Sequence, residues 1–283
     1  MGFADAERFN DILTAVDNMQ AFPVSVQNIL RLTRDASCAP KDLVQVIDKD
    51  PVVTVKVLRV VNSAYYSLPR KISSVSHAVV FLGFNTVKNL ALSIAAIGML
   101  PGNPLAGFDG HRYLLHCLTT AGLTRHLSLK FPGADQNDFF IAGLLHDFGK
   151  VVIAQVMPAE FRKALEFSLW NEASLHCALR ELLGIDHCEV GALLLERWDF
   201  PGNLIDAIRC QHNMEMMKTR LAFSVYAANQ ISTHLGADFG GAPLAPTLPL
   251  SVEQALGGTL KQIMDSLGDM EPILQEARRF SRI

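Results

Sequence analysis

The sequence lacks a hydrophobic run long enough to cross a membrane, although 49% of its residues are hydrophobic. The longest run, Leu90 to Leu100, has 11 residues and includes Ser93, whereas a spanning helix needs about 20. The segment Met1 to Asn10 carries charges and no apolar core, unlike an export signal. We therefore predict a cytoplasmic protein with a large buried core and no membrane association.

Cysteines are few and follow no recognisable spacing. There are five of them, an odd number, and no two form a Cys-x-x-Cys pair. This pattern argues against a disulfide framework and against a zinc finger, and it indicates reduced thiols. Cys188 and Cys210 adjoin histidines that are discussed below, and we interpret both cysteines as packing residues.

The chain also lacks an excess of basic residues. Its 25 lysines and arginines stand against 28 aspartates and glutamates, for a net charge of −3, so no general attraction to nucleic acid is expected. Two apolar segments around Gly83 resemble a helix-turn-helix. However, Lys88 is the only basic residue between Val87 and Leu100, where phosphate contacts would require several. We expect no nucleic-acid partner.

Helix signals are present throughout and predict an all-α fold. Asp50-Pro51 reads as a capping residue followed by a first-turn proline, and apolar residues recur at helical spacing after Phe22-Pro23. The turn Pro101-Gly102-Asn103-Pro104 divides an N-terminal helical lobe, residues 1–104, from a second helical lobe, residues 105–283. In the second lobe we predict helices over 113–130, 137–157, 160–183, 187–198, 203–212, 219–235 and 252–279.

The C-terminal segment 252–279 has an apolar stripe with two alternative uses. It could close the core of the second lobe, or it could form a contact between two copies of the chain. We favour core closure, and the sequence leaves the oligomeric state open.

An adjacent His146-Asp147 pair is the most informative feature of the sequence. It lies in an apolar segment and is followed by Gly149-Lys150. A buried imidazole and carboxylate at one point are costly unless they are paired or share a metal ion. A divalent ion held there would lower the pKa of a bound water and polarise a phosphoryl oxygen.

Further histidines could complete a helical metal cage, and imidazole with carboxylate suits Fe, Mn, Zn or Ni. Each also has an ordinary alternative: His116 could be a packed or surface residue, His187 could pack in a first turn, and His212 could interact with a helix dipole. Asp147 could accept hydrogen bonds only. Lys150, one turn after Asp147, could contact a phosphate. The candidate metal ligands are His116, His146, Asp147, His187 and His212.

Several spaced motifs resemble the HDOD family, over roughly residues 11–235. They are Ala21-Phe22-Pro23, Asp50-Pro51-x4-Lys56-Val57-Leu58-Arg59, Asn62-Ser63-Ala64, Ala78-Val79-x2-Leu82-Gly83, Gly143-Leu144-Leu145-His146-Asp147-x-Gly149-Lys150, His187-x2-Val190-Gly191-Ala192-x-Leu194 and Trp198-x2-Pro201. The resemblance implies an all-helical HDOD-type fold related to HD and HD-GYP phosphohydrolases. It also implies a regulatory role in bacterial signalling.

The resemblance carries roles to particular positions. His116 matches the first HD ligand, His146 and Asp147 match the central pair, and Lys150 matches the lysine of HD-x-x-K. His187 and His212 match the additional histidines of the two-metal HD-GYP arrangement.

Three departures from the enzyme pattern weaken the case for catalysis. Asn229 stands where the last HD aspartate is expected, and its neutral amide is a weaker ligand than a carboxylate. Gln211 replaces the histidine before His212. The Gly-Tyr-Pro signature is absent, which argues against hydrolysis of cyclic-di-GMP.

Two functions of different class therefore remain. The first is a non-catalytic signal-transduction module with a degenerate HD site, acting in trans on a partner such as a kinase, a response regulator or a diguanylate cyclase. The alternative is a metal-dependent phosphohydrolase acting on a nucleotide or phosphate ester. We favour the first, which requires no cofactor.

Overall fold

A computed structural model describes residues 10–14, 16–17, 24–33, 38–62, 71–98, 107–240 and 244–281. Within these ranges every regular element is helical and no strand is present, which confirms the predicted all-α fold. The chain divides into two compact units, one formed by Gln20–Leu100 and the other by Met1–Met19 together with Pro101–Ile283. Each unit is described below by itself.

The unit Gln20–Leu100 is built from short helices whose starts follow local sequence. They are α1 (Val24–Thr33), α2 (Pro40–Asp48), α3 (Pro51–Val61), α4 (Val75–Leu82) and α5 (Phe84–Gly98). Asp50 caps α3 by accepting from the backbone N–H groups of Val52 and Val53, so the predicted Asp-Pro helix start is confirmed. Gly83, at φ +84°, separates α4 from α5, as predicted.

Some predictions fall outside the described residues. These are the charged segment Met1 to Asn10 apart from its last residue, the Phe22-Pro23 pair, Ser63-Ala64, and the lobe boundary at Pro101–Pro104.

The larger unit carries the remaining helices in chain order. They are α6 (Gly110–Ser128), α7 (Gln136–Leu145), α8 (Phe148–Val156), α9 (Pro158–Asn171), α10 (Leu175–Leu183), α11 (His187–Arg197), α12 (Gly202–Arg209), α13 (Arg220–His234), α14 (Leu250–Leu256), α15 (Leu260–Leu267) and α16 (Glu271–Phe280).

Helices α6 and α7 form the centre of this unit and approach very closely. A Cβ on Gly143 of α7 would come within 2.7 Å of the Ala121 Cα of α6, so only glycine permits this packing. Every residue of α7 from Phe139 to Leu145 is buried. The stretch Gln136–Val156 is long and apolar enough for a membrane span, but 89% of its most apolar window is buried inside the fold, so it is a core element here.

Two predicted helices are divided in the structure. The segment predicted as one helix over 137–157 breaks at His146 and Asp147, between α7 and α8. The segment predicted over 160–183 breaks at Glu172, which adopts φ +50° at the end of α9, before Ser174 caps α10. Apolar periodicity continues across both breaks, and for that reason the sequence predicted longer helices.

The predicted C-terminal helix is also divided, into α14, α15 and α16. Gly257 and Gly268 end the first two of these helices at positive φ. Apolar residues of the stripe, including Leu256, Ile263 and Leu274, are buried. The segment therefore closes the core, as favoured.

Candidate metal centre

The break between α7 and α8 places His146 and Asp147 side by side. In a continuous helix, consecutive side chains point about 100° apart and do not meet. Here Asp147 leaves the helical region of backbone angles, at φ −103° and ψ 8°, and α8 begins at Phe148. The turn brings the imidazole and the carboxylate to one buried point, and both residues are fully buried.

Three ligand atoms from two parts of the chain converge at this point. His116, on α6, brings its Nε2 to 3.2 Å from the Nε2 of His146. The Oδ2 of Asp147 lies 3.3 Å from His116 Nε2 and 3.4 Å from His146 Nε2. The structure thus unites three of the predicted ligands, all of them buried.

The backbone determines which ring nitrogen of each histidine carries the proton. His116 Nδ1 lies 2.8 Å from the Ala237 carbonyl oxygen, and His146 Nδ1 lies 2.8 Å from the Gly143 carbonyl oxygen. Because a carbonyl only accepts, each Nδ1 must donate, and in a neutral ring the Nε2 then presents a lone pair. This arrangement, with the second ring nitrogen held by a carbonyl, is typical of metal-ligating histidines.

Burial keeps His146 neutral. It lowers the pKa of His146 to about 3, against the opposing influence of the Asp147 charge. Burial alone would raise the pKa of Asp147, but the neighbouring His146 and Lys150, together with the His187 ring that faces its other oxygen, hold that pKa well below its usual value. The pair therefore consists of a neutral imidazole and a charged carboxylate.

Lys150 supplies positive charge beside this carboxylate. Its Nζ donates to Asp147 Oδ2 at 2.5 Å, and the lysine is itself only 6% exposed. The ammonium also lies 5.7 Å from the centre of the Phe239 ring, a favourable cation–π distance. Lys150 thus forms an ion pair with Asp147. The predicted contact between Lys150 and a phosphate stays a prediction.

The donor set fits a divalent cation. Two Nε2 lone pairs and one carboxylate oxygen face each other at 3.2–3.4 Å, and electron pairs at such distances repel unless a proton or a metal ion lies between them. Nitrogen and oxygen ligands of this kind suit Fe, Mn, Zn or Ni. His116, His146 and Asp147 would hold the ion.

His187, the first residue of α11, contacts the same carboxylate. Its Nε2 lies 3.1 Å from the other carboxylate oxygen of Asp147, Oδ1, and the residue is 1% exposed. Its Nδ1 is buried and has no hydrogen-bond partner in the described part of the chain. A Cβ on Gly149 would overlap the His187 carbonyl oxygen, so this glycine allows α8 to approach α11 and set the position of His187.

His212 lies in a second group of side chains. It follows α12 and belongs with His176 of α10 and Cys188 of α11, whose ligand atoms all lie within 4.8 Å of one another. The His187 and His212 rings are 5.4 Å apart, so the two groups are neighbours. His176 is not among the ligands predicted from the sequence, because nothing in the local sequence of α10 marks it as one.

The two residues that depart from the enzyme pattern have different surroundings. Gln211 is buried and donates through Nε2 to the His146 carbonyl oxygen at 2.6 Å and to Cys188 Sγ at 3.4 Å. Asn229 is half-buried on α13. It lies one turn before Ser232, whose hydroxyl is 3.3 Å from His116 Nδ1, so Asn229 shares the helix face that approaches the centre.

A cavity of about 250 Å³ opens beside the second group. It is lined by both of that group's histidines and by two arginines that already have acidic partners. Arg180 lies 3.1 Å from Asp186. Arg209 contacts Glu189 at 3.3 Å and Glu196 at 2.9 Å. The lining residues include His176, Arg180, Asp186, Glu189, Arg209 and His212.

Comparison with known proteins identifies the family. The HDOD domain model matches residues 19–214, which is well over half of the chain. A Treponema pallidum (strain Nichols) protein without a characterised function is 28% identical over 208 residues, which cover 72% of this chain and 39% of the relative. The chain thus spans well under half the length of that relative.

Solved structures share the fold. An HDOD domain protein of unknown function from Geobacter sulfurreducens superposes with a TM-score of 0.77 at 24% identity, covering 96% of this chain and 98% of that one. A Marinobacter aquaeolei VT8 protein, named as a candidate signal transduction protein, gives a TM-score of 0.80 at 24% identity, covering 98% and 66%. With these matches and the family model, the chain belongs to the HDOD domain family.

Proposed function

We propose that this chain is a non-catalytic regulatory module of bacterial signal transduction, which acts in the cytoplasm through protein partners. The observation that carries the proposal is the closure of the centre around His146 and Asp147. Both residues are 0% exposed, His116 is 2% exposed and His187 is 1% exposed. A catalytic metal site keeps a coordination position open to substrate, and this centre is enclosed by protein.

The charges at the centre support the same function. The Lys150 ammonium already neutralises the Asp147 carboxylate, so a phosphate there would have to compete with a buried ion pair. Asn229 contributes an amide where the enzyme pattern has a second carboxylate. A metal ion held by His116, His146 and Asp147 would then stabilise the fold, although when bound it could also activate water.

Partner binding requires an exposed surface, and the larger unit has a candidate at the end of α9. Leu169 is 64% exposed and Trp170 is 86% exposed. Tryptophan is enriched at the energetic centres of protein interfaces. We propose this pair as a contact for a kinase, a response regulator or a diguanylate cyclase, with no nucleic acid and no membrane involved.

The alternative function is a metal-dependent phosphohydrolase. One specific observation favours it: the two Nε2 lone pairs of His116 and His146 face Asp147 at ligand-like separations. Turnover would require the surrounding helices to open and admit a phosphate ester to this centre.

One experiment separates the two functions. The full chain, loaded in turn with Fe, Mn and Zn, is assayed on a panel of nucleotides and phosphate esters beside Asp147→Asn. We expect no difference between the two proteins. Turnover by the native chain that disappears in Asp147→Asn would overturn the proposal and establish the phosphohydrolase.

A second arm tests the partner surface. Kinases, response regulators and diguanylate cyclases encoded in the same genome are screened for binding to the native chain, to Trp170→Asp and to Asp147→Asn. We expect Trp170→Asp to lose a partner that Asp147→Asn retains. Binding that survives Trp170→Asp and is lost in a folded Asp147→Asn would show that the centre itself forms the contact.

A further inference from the structure

A second cluster of potential metal ligands adjoins the centre around Asp147 and is joined to it by His187, whose Nε2 lies 3.1 Å from Asp147 Oδ1 and 3.5 Å from Cys188 Sγ. It consists of His176 on α10, Cys188 in the first turn of α11 and His212 after α12, and each side chain offers one ligand atom within 4.8 Å of the other two. The three segments are separate in sequence. Their convergence is therefore a property of the fold and does not follow from any local motif.

The separations are close to those of a tetrahedral zinc site. Zn–S bonds of about 2.3 Å and Zn–N bonds of about 2.0–2.1 Å place nitrogen and sulfur ligands roughly 3.6 Å apart. Cys188 Sγ lies 3.9 Å from His176 Nδ1, and the His176 and His212 rings are 4.5 Å apart at their centres. Because the three ligand atoms lie within 4.8 Å of one another, rotation of the side chains toward a common point would complete the geometry.

Burial and the charges of Asp186 and Asp147 hold the pKa of the Cys188 thiol well above its usual value, so the sulfur becomes a thiolate only on binding a metal ion, which deprotonates a coordinating thiol. Gln211 Nε2 donates to Cys188 Sγ at 3.4 Å, which is the kind of outer hydrogen bond that orients and stabilises a metal-bound ligand. Cys188 is 2% exposed, so its sulfur is protected from bulk oxidants. Cys188 is therefore a buried residue whose sulfur also accepts a hydrogen bond, and packing alone does not explain that polar contact.

The cluster also has an entry path. Both His176 and His212 are half-buried and line the 250 Å³ cavity, whereas the Asp147 centre is enclosed. Asp186 lines the same cavity and brings Oδ2 to 3.7 Å from His176 Nδ1. An ion could thus reach the ligands from solvent, and its fourth coordination position would face the cavity.

We propose that His176, Cys188 and His212 bind Zn²⁺ at a site distinct from the centre formed by His116, His146 and Asp147. Two imidazoles with one thiolate favour zinc over the harder Fe²⁺ and Mn²⁺ ions. Water from the cavity occupies the fourth position. On binding, the Cys188 proton leaves to solvent as the Zn–S bond forms. The inference does not depend on the chain being non-catalytic.

Cobalt substitution tests the site with a readout other than activity. Co²⁺ replaces Zn²⁺ in tetrahedral sites, and a cysteine ligand then gives a thiolate-to-cobalt charge-transfer band in the near ultraviolet. The full chain, stripped of metal, is titrated with Co²⁺ alone and then with Zn²⁺. We expect the band to appear with about one equivalent of Co²⁺ and to be displaced by Zn²⁺.

Matched variants assign the band to its ligands. Cys188→Ser should abolish it, while Cys210→Ser should retain it, because the buried Cys210 donates its thiol to the Ala207 carbonyl oxygen and belongs to neither ligand group in the described part of the chain. His176→Gln provides a second test at a half-buried position if Cys188→Ser folds poorly. His116→Ala should keep the band, since that residue belongs to the other centre.

Three results would overturn the assignment. They are cobalt binding without a thiolate band, a band that persists in Cys188→Ser, and a site that takes Cu(I) but cannot be loaded with Zn²⁺. None of these results bears on phosphatase turnover, so failure of the zinc site and failure of the proposed function are distinguishable.

Discussion

The Nε2 atoms of His116 and His146 lie 3.2 Å apart, and the Nδ1 of each ring is committed to a backbone carbonyl. No proton is therefore available between the two Nε2 atoms when both rings are neutral. A cation shared with Asp147 removes the repulsion that this arrangement would otherwise cost. We therefore expect metal occupancy at this pair to stabilise the fold.

Metal content should depend on His146. We expect His146→Ala, purified beside the native chain without chelator or a nickel column, to hold about one equivalent less Fe, Mn or Zn, because a structural ion requires its full ligand set. Elemental mass spectrometry measures the difference, and His126→Ala serves as the control, because His126 is a half-buried histidine of α6 outside both ligand groups. Equal metal content in the native chain and His146→Ala would show that no ion binds at this centre.

Asp147→Asn should destabilise the metal-free protein by about 3–5 kcal/mol, because it leaves the buried Lys150 ammonium without its counter-charge. Urea denaturation measures the loss. In the double variant Asp147→Asn, Lys150→Met, part of the stability should return, since no buried charge then remains unpaired. A double variant whose loss of stability equals the sum of the losses in Asp147→Asn and Lys150→Met would show that the ion pair contributes nothing to stability.

Gly149→Ala should cost about 1–3 kcal/mol or more, because the added methyl group overlaps the His187 carbonyl oxygen and forces α8 away from α11. Gly202→Ala is the matched control, since a Cβ at Gly202 meets nothing within 4 Å. Thermal unfolding compares the two variants. A Gly149→Ala protein as stable as Gly202→Ala would contradict the close helix approach.

Acid should unfold the metal-free protein. Burial lowers the pKa of His146 to about 3, whereas an unfolded histidine titrates near 6.5. At pH values between these two pKa values, the imidazole of His146 is protonated in the unfolded chain and neutral in the folded protein. Stability is therefore greatest above about pH 6.5 and falls as pH drops toward 3, by up to about 1.4 kcal/mol per pH unit for this one group.

Burial also lowers the pKa of His187 and of His212. Both groups therefore also reduce the stability of the folded protein as pH falls. The urea midpoint measured from pH 7 to pH 5 should fall, and it should fall less steeply in His146→Gln. A midpoint that stays constant or rises on acidification would show that these rings are protonated in the folded protein.

The positions of most helices could be predicted, because the signals that start and end a helix lie in short segments of sequence. The Asp50 cap and the break at Gly83 were both read correctly from short segments of sequence. The division at His146 was not, since the apolar pattern continues from α7 into α8 and only tertiary packing decides that the chain turns there. Glu172 breaks its predicted helix for a similar reason, with no glycine or proline to mark the position.

Local sequence also indicated much of the Asp147 centre but not the second cluster. His116, His146 and Asp147 converge as the residue order suggested, because α7 packs against α6 and ends directly before His146. His176 carries no distinguishing neighbour, and its partners Cys188 and His212 come from two other segments. Only the packing of α10 and α12 against α11 makes the three residues a group.

The aromatic contact beside the centre provides an optical reporter. The chain has two tryptophans: Trp170 is exposed, whereas Trp198 packs edge-on against Phe148 at 5.7 Å between ring centres. Phe148 directly follows Asp147. In a Trp170→Phe background, the remaining indole emission would therefore report rearrangement next to Asp147, so metal loading could be followed in real time without an added label.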